Sequence, residues 1–229
     1  VKSLAHFNKA EYSERQFENL NCAACHQIDD DLSGLTVSHP LSAKYTGEAY
    51  QEPGKGMTAP DLTFIGEKLR ADWMNQLFSG SLEKSTRPWL KQRMPAFPSR
   101  AKDLADGFAA GYGVIGETSK SAATEEPGKQ LFGMVGGFGC AACHGAAEVK
   151  PLAVFEAAGV NLQFAGARLR QEYYHRWMRD PARIDPHTIM PKYFVDENET
   201  PLSGPLDGDG QKQMEAIWQW MQSLNNQSK

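Results

Sequence analysis

Residues 140–144 read CAACH, and residues 22–26 read CAACH as well. The four cysteines in these stretches are the only cysteines in a chain of 229 residues. Every thiol is therefore committed to one of two identical sites, 118 positions apart. The likeness extends further. DLTFIGEKLRADWM, from Asp61, aligns without a gap with NLQFAGARLRQEYY, from Asn161. Leu62, Phe64, Gly66, Leu69 and Arg70 fall on Leu162, Phe164, Gly166, Leu169 and Arg170, and Trp73 falls on Tyr173. One duplicated unit is the simplest account. It predicts two domains, 1–118 and 119–229, joined through the small and charged residues between Gly116 and Gly128.

Composition bounds the rest. With 41% hydrophobic and 23% charged residues the chain has the makeup of a globular protein, not a disordered or fibrous one. A net charge of −4 gives no basic surface for nucleic acid. No apolar run is long enough to span a membrane. The first residues, Val1, Lys2 and onward to His6, lack the pattern of a secretory leader. A processed chain is expected to lack one too, so this does not argue for the cytoplasm.

Helical patterning is predicted over 12–19, 67–78, 101–112, 128–134, 167–179 and 211–224. Leu69, Trp73 and Leu77 recur every four residues, and Asp180-Pro181 ends its stretch. Met214, Ile217, Trp218, Met221 and Leu224 form an apolar stripe that reads as helix–helix core. No alternating apolar run calls for a strand, so the fold class is all-α. A polar insertion between His26 and Asp61, about twice as long as its counterpart, is a cover for the first site, a contact to the second domain, or exposed filler.

The cysteines admit three chemistries. A redox disulfide within Cys-x-x-Cys does not need a following histidine. A four-thiolate zinc site requires both motifs to come together and leaves His26 and His144 unexplained. The third uses every key residue, because C-x-x-C-H is the attachment signature of a c-type haem. Cys22 and Cys25, then Cys140 and Cys143, form thioethers to the porphyrin, while His26 and His144 supply the proximal nitrogens.

The far side of each iron then needs a ligand. Met94, in RMPAF, and Met190, in IMPKY, share a Met-Pro-x-aromatic context, 68 and 46 residues after their histidines. Proline stiffens its own position and holds the preceding residue extended, which suits a thioether presented to a metal. Met57, Met74, His39, His175 and His187 are the competing ligands. Arg70 and Arg170 are candidate partners for haem propionates; a solvated helix face is the alternative.

On these marks the chain resembles class I c-type cytochromes, specifically tandem two-haem proteins, over nearly its whole length. GKQLFGMVGGFGCAACH is similar to the leading helix of such a domain, with Gly128 and Phe132 at the helix crossing. The first half departs from this: it has Ser13 where the glycine is expected, which predicts a different helix crossing. The resemblance implies two cytochrome c-like domains, each wrapped around one covalent haem. It further implies single-electron transfer between a redox protein donor and acceptor, with a dehydrogenase among the candidate partners, in the periplasm or on an outer-facing membrane surface. Two other readings stay open: a peroxidase-like two-haem enzyme, should one iron lack its methionine, and a cytochrome module of a larger dehydrogenase.

Overall fold

The computed structural model describes residues 8–29, 59–85, 93–114, 116, 124–154, 158–186, 188–194 and 200–224. Among these the chain is helical, and strand-like pairing is confined to isolated bridges such as Ala146 with Val149. Two compact units emerge, Val1–Glu117 and Thr118–Lys229. Unit 1 contains α1 (Lys9–Asn19), a 3-10 turn at Cys22–Ala24, α2 (Ile65–Lys68), α3 (Ala71–Ser79) and α4 (Ala101–Gly111). Unit 2 contains α5 (Gly128–Phe132), a 3-10 turn at Cys140–Ala142, α6 (Ala165–Arg168), α7 (Gln171–Arg179), α8 (Pro181–Ile184) and α9 (Gly210–Leu224).

Helix ends follow from local chemistry. Asn8 caps α1 by accepting from the Glu11 N–H at 3.1 Å. Gly80 ends α3 in the left-handed region, at φ 75°, where a side chain is strained. Asp180 ends α7 and accepts from the Arg183 N–H at 3.3 Å, so the residue that stops one helix starts α8.

Two expectations are corrected. Neither 67–78 nor 167–179 is one continuous helix. In both units a short helix stops, two residues run extended, and a second helix begins. Leu69 and Arg70 have ψ 146° and 138°; Leu169 and Arg170 have ψ 152° and 140°. The reason is tertiary. A Cβ on Gly66 would lie 2.0 Å from the Phe108 carbonyl oxygen, and one on Gly166 would lie 2.7 Å from that of Met221. The short helices thus press directly onto the closing helices α4 and α9. Two short rods can each take their own packing direction, which one straight rod cannot. The break also turns the buried face of α3 to Met74 and Phe78, at 0% and 4% exposure, while Trp73 and Leu77 pack only at its margin.

Each unit has its own core. In unit 1, Leu62, Ile65, Met74, Phe78 and Leu104 gather against α4. In unit 2 the stripe on α9 is buried throughout, from Met214 to Leu224, against Leu131, Phe138, Tyr174 and Phe194. α5 is shorter than the predicted 128–134. Its chain turns back at once, and the Phe138 N–H reaches the Leu131 carbonyl at 2.7 Å. Among the described residues no helix is long and apolar enough to cross a membrane.

Candidate functional site

The two CAACH stretches fold alike. Each begins after a left-handed residue, Asn21 at φ 54° and Gly139 at φ 74°, and closes as one 3-10 turn. The Cys25 and His26 N–H groups both donate to the Cys22 carbonyl, at 3.0 and 2.9 Å. Those of Cys143 and His144 donate to the Cys140 carbonyl at 3.1 and 2.9 Å. No disulfide joins either pair. Burial pushes the Cys140 thiol up to about 11, and burial also raises that of Cys22.

The imidazoles are oriented in the same way. His26 Nδ1 lies 2.8 Å from the Pro60 carbonyl oxygen, and His144 Nδ1 lies 2.9 Å from that of Val160. A carbonyl can only accept, so Nδ1 carries the proton in each ring. In the neutral ring Nε2 then holds the lone pair, the form that ligates a metal.

Pro60 and Val160 each immediately precede the repeated segment, which assigns that segment a role. It is anchored beside the histidine by backbone bonds from Leu62 to Gln27, 2.8 Å, and from Leu162 to Gly145, 2.9 Å. The side chains of Asp61 and Asn161 brace the same bend by accepting from the N–H groups of Thr63 and Gln163. In unit 2 the loop from the motif folds back over it, with Leu152 and Ala153 bonded to the carbonyls of Ala141 and Ala142. Gly159 touches the ring itself: a Cβ there would stand 2.5 Å from His144 Nδ1 and Cε1. Nothing in the alignment marks this residue, because its counterpart a hundred positions earlier is Ala59.

In unit 1 the Met-Pro segment returns to the end of the preceding helix; in unit 2 it packs on the turn that leads into the second motif. The Phe97 N–H donates to the Phe78 carbonyl at 2.7 Å, which brings the Met94 segment to α3. In unit 2, Phe138 holds the rings of Tyr193 and Phe194 at 5.5 and 5.2 Å. The sulfurs differ in setting. Met94 is 36% exposed, whereas Met190 is partly buried against the core and accepts a hydrogen bond from Trp177 Nε1 at 3.0 Å.

Arg70 and Arg170 are buried, at 6% and 2%, which excludes the solvated-face alternative. The Arg70 guanidinium makes a two-point contact with Asp72, at 2.9 and 3.1 Å. Of the rival ligands, Met74 is sealed in the core and is filler. His175 lies beside Glu215, with 3.7 Å between Nε2 and Oε2, on the face of α7 that meets α9; burial lowers its pKa. His39, Met57 and His187 lie outside the described residues, as does 30–58, most of the insertion.

Among the described residues no three His, Cys, Asp or Glu side chains are arranged to hold a metal ion. No protein-family model matches the chain, and no curated protein matches it.

Proposed function

We propose that the chain is a two-haem c-type cytochrome that passes single electrons between redox proteins. The observation that carries this reading is the duplicated turn with its duplicated clamp: two unpaired thiols followed by an imidazole whose Nδ1–H is held by a carbonyl at 2.8 or 2.9 Å. Cys22, Cys25, Cys140 and Cys143 would carry the thioethers, and His26 and His144 the proximal Nε2 atoms. Met94 and Met190 would complete the ligand sets. A bound haem would supply a reversible one-electron couple; these imidazoles and thioethers would hold its iron, and the packed cores would keep water away. Arg70 and Arg170, buried and cationic, are proposed partners for propionates, though Arg70 already neutralises Asp72. The proposed setting is the periplasm or an outer-facing membrane surface, with a donor and an acceptor protein as partners. A role as the electron-carrying module of a larger dehydrogenase uses the same residues.

One observation favours a second reading. Met94 is 36% exposed, so it is the weaker of the two proposed thioether ligands. An iron with a displaceable far side is what peroxidase-like chemistry requires, and the first unit is where it would arise.

The test is a pyridine haemochrome assay on the denatured chain, combined with EPR and the red thioether-to-iron absorption of the oxidised protein. Two covalent haems, both low-spin and with that band at full strength, are expected. Fewer than two covalent haems would sink the reading. Two haems with one high-spin iron would move it to the peroxidase-like alternative.

A further inference from the structure

The repeated helices differ at one place that bears on the proposed ligand. In unit 2, Trp177 donates its indole N–H to Met190 Sδ at 3.0 Å. A hundred positions earlier, on the matching helix α3, stands Leu77, a side chain with no donor, packed against the first core. The indole is held in place. Its ring stacks on Tyr173, one turn earlier on α7, with centroids 6.3 Å apart and planes 20° from parallel. Tyr173 is itself 4% exposed, and the Arg176 guanidinium sits 5.7 Å from its ring centre. The donor therefore has little freedom to leave the sulfur.

A thioether sulfur has two lone pairs. The indole takes one and leaves the other for a metal. A hydrogen bond at sulfur withdraws electron density, so the sulfur gives less to a ferric ion. The N–H dipole also points its positive end toward the same site, which disfavours the extra positive charge. Both effects favour the reduced state.

We infer that Trp177 is a positioning residue that raises the reduction potential of the second haem through Met190, and that Leu77, at the matching place in the first unit, supplies no such donor. The inference rests on the two-haem reading above. It makes the two sites unequal by construction, with the second better able to keep an electron on this account.

The test is an optical redox titration of the full chain with both haems, comparing Trp177→Phe with the unaltered protein. One of the two Nernst waves is expected to move to lower potential while the other stays. The red thioether band of the second haem is expected to shift, with both irons still low-spin. Unmoved waves in a folded, low-spin variant overturn the inference and leave the two-haem reading standing. An unaltered protein without two covalent haems, or without a thioether band for the second, overturns both. A second measurement does not depend on the variant's folding: NMR of the reduced, unaltered protein is expected to show an indole N–H that is slow to exchange and close to the Met190 methyl. Its absence overturns the inference.

Discussion

The two units make the same helix crossing with the glycine on opposite helices. In unit 2 it is on the opening helix, where a Cβ on Gly128 would lie 2.0 Å from the Ala216 carbonyl oxygen and 2.7 Å from Trp220 Cβ. In unit 1 it is on the closing helix, where a Cβ on Gly107 would lie 2.4 Å from the Lys9 carbonyl oxygen and 2.6 Å from Ser13 Cβ. Gly66 touches Phe108 and Gly166 touches Met221, so Gly107 and Trp220 hold corresponding places. A serine faces a glycine in one unit, and a glycine faces a tryptophan in the other. What the crossing keeps is one glycine where the two helix backbones meet. Which helix contributes the small residue is free to change.

The strongest way to break this comparison is a single methyl. Gly128→Ala is expected to destabilise unit 2 by about 3 kcal/mol, because the clash is with backbone that cannot rotate away. Gly107→Ala is expected to do the same to unit 1 alone. Calorimetry of the whole chain would resolve the two transitions, and a neutral Gly128→Ala would show that the crossing is looser than described. Gly128→Ser tests the exchange itself: serine, accepted at 13, is expected to fail at 128.

A smaller effect distinguishes the two imidazoles. Gly159→Ala places a Cβ 2.5 Å from the His144 ring, while unit 1 already carries Ala59 at the aligned position. On the two-haem reading proposed above, the substitution is expected to weaken the bond from His144 to the second iron, seen as partial high-spin signal from one haem, with the other unchanged. Ala59→Gly is expected to leave both spectra as they were.

The smallest effect is electrostatic. Lys9 and Lys102 both bond Asp106, at 2.7 and 2.6 Å, tying α1 to α4. The aligned place in unit 2 is Gln219, tied to Thr124 by neutral bonds at 3.0 and 3.4 Å. Partial burial alone would raise the Asp106 carboxyl, but the two lysines outweigh it and hold it below its ordinary 3.8. The folded state then binds this proton less readily than the unfolded one. Stability is present above the ordinary carboxylate range and is lost as pH falls through the lowered value. With Lys9 half exposed the loss is at most about 1 kcal/mol. Acid titration of unfolding is expected to weaken unit 1 more than unit 2 from this source, and Asp106→Asn to remove that difference.

The duplication and part of the helical pattern could be read before any coordinates. The CAACH pairs carry their chemistry in consecutive letters, and the stripe from Met214 to Leu224 has a period that only a helix satisfies. The Leu69–Arg70 break could not be read. Leucine and arginine both favour helix, so local propensity runs straight through, and the cause is Gly66 pressed on Phe108, forty-two positions away. The helix face was misread for the same reason, since Trp73 and Met74 are both apolar and only the packed partner decides between them. The repeat itself was visible, but its link to the histidines was not. That link is made by the main-chain carbonyls of Pro60 and Val160, which have no side-chain signature. Trp177 was hidden opposite Leu77, where one apolar residue stands in for another until the indole nitrogen is counted.

The carbonyl clamps have a further consequence, in the statistics of a chain not yet folded. His26 must find its carbonyl 34 residues away, whereas His144 needs only 16. By loop length alone, the longer closure costs about 0.7 kcal/mol more entropy, roughly a threefold difference in how often the loop is shut. A newly made chain would therefore present the second imidazole, already turned and with the correct nitrogen bare, more often than the first. If porphyrin capture follows that readiness, half-loaded molecules should carry their single added mass on the peptide containing Cys140, and a mass spectrum of a short pulse would show it.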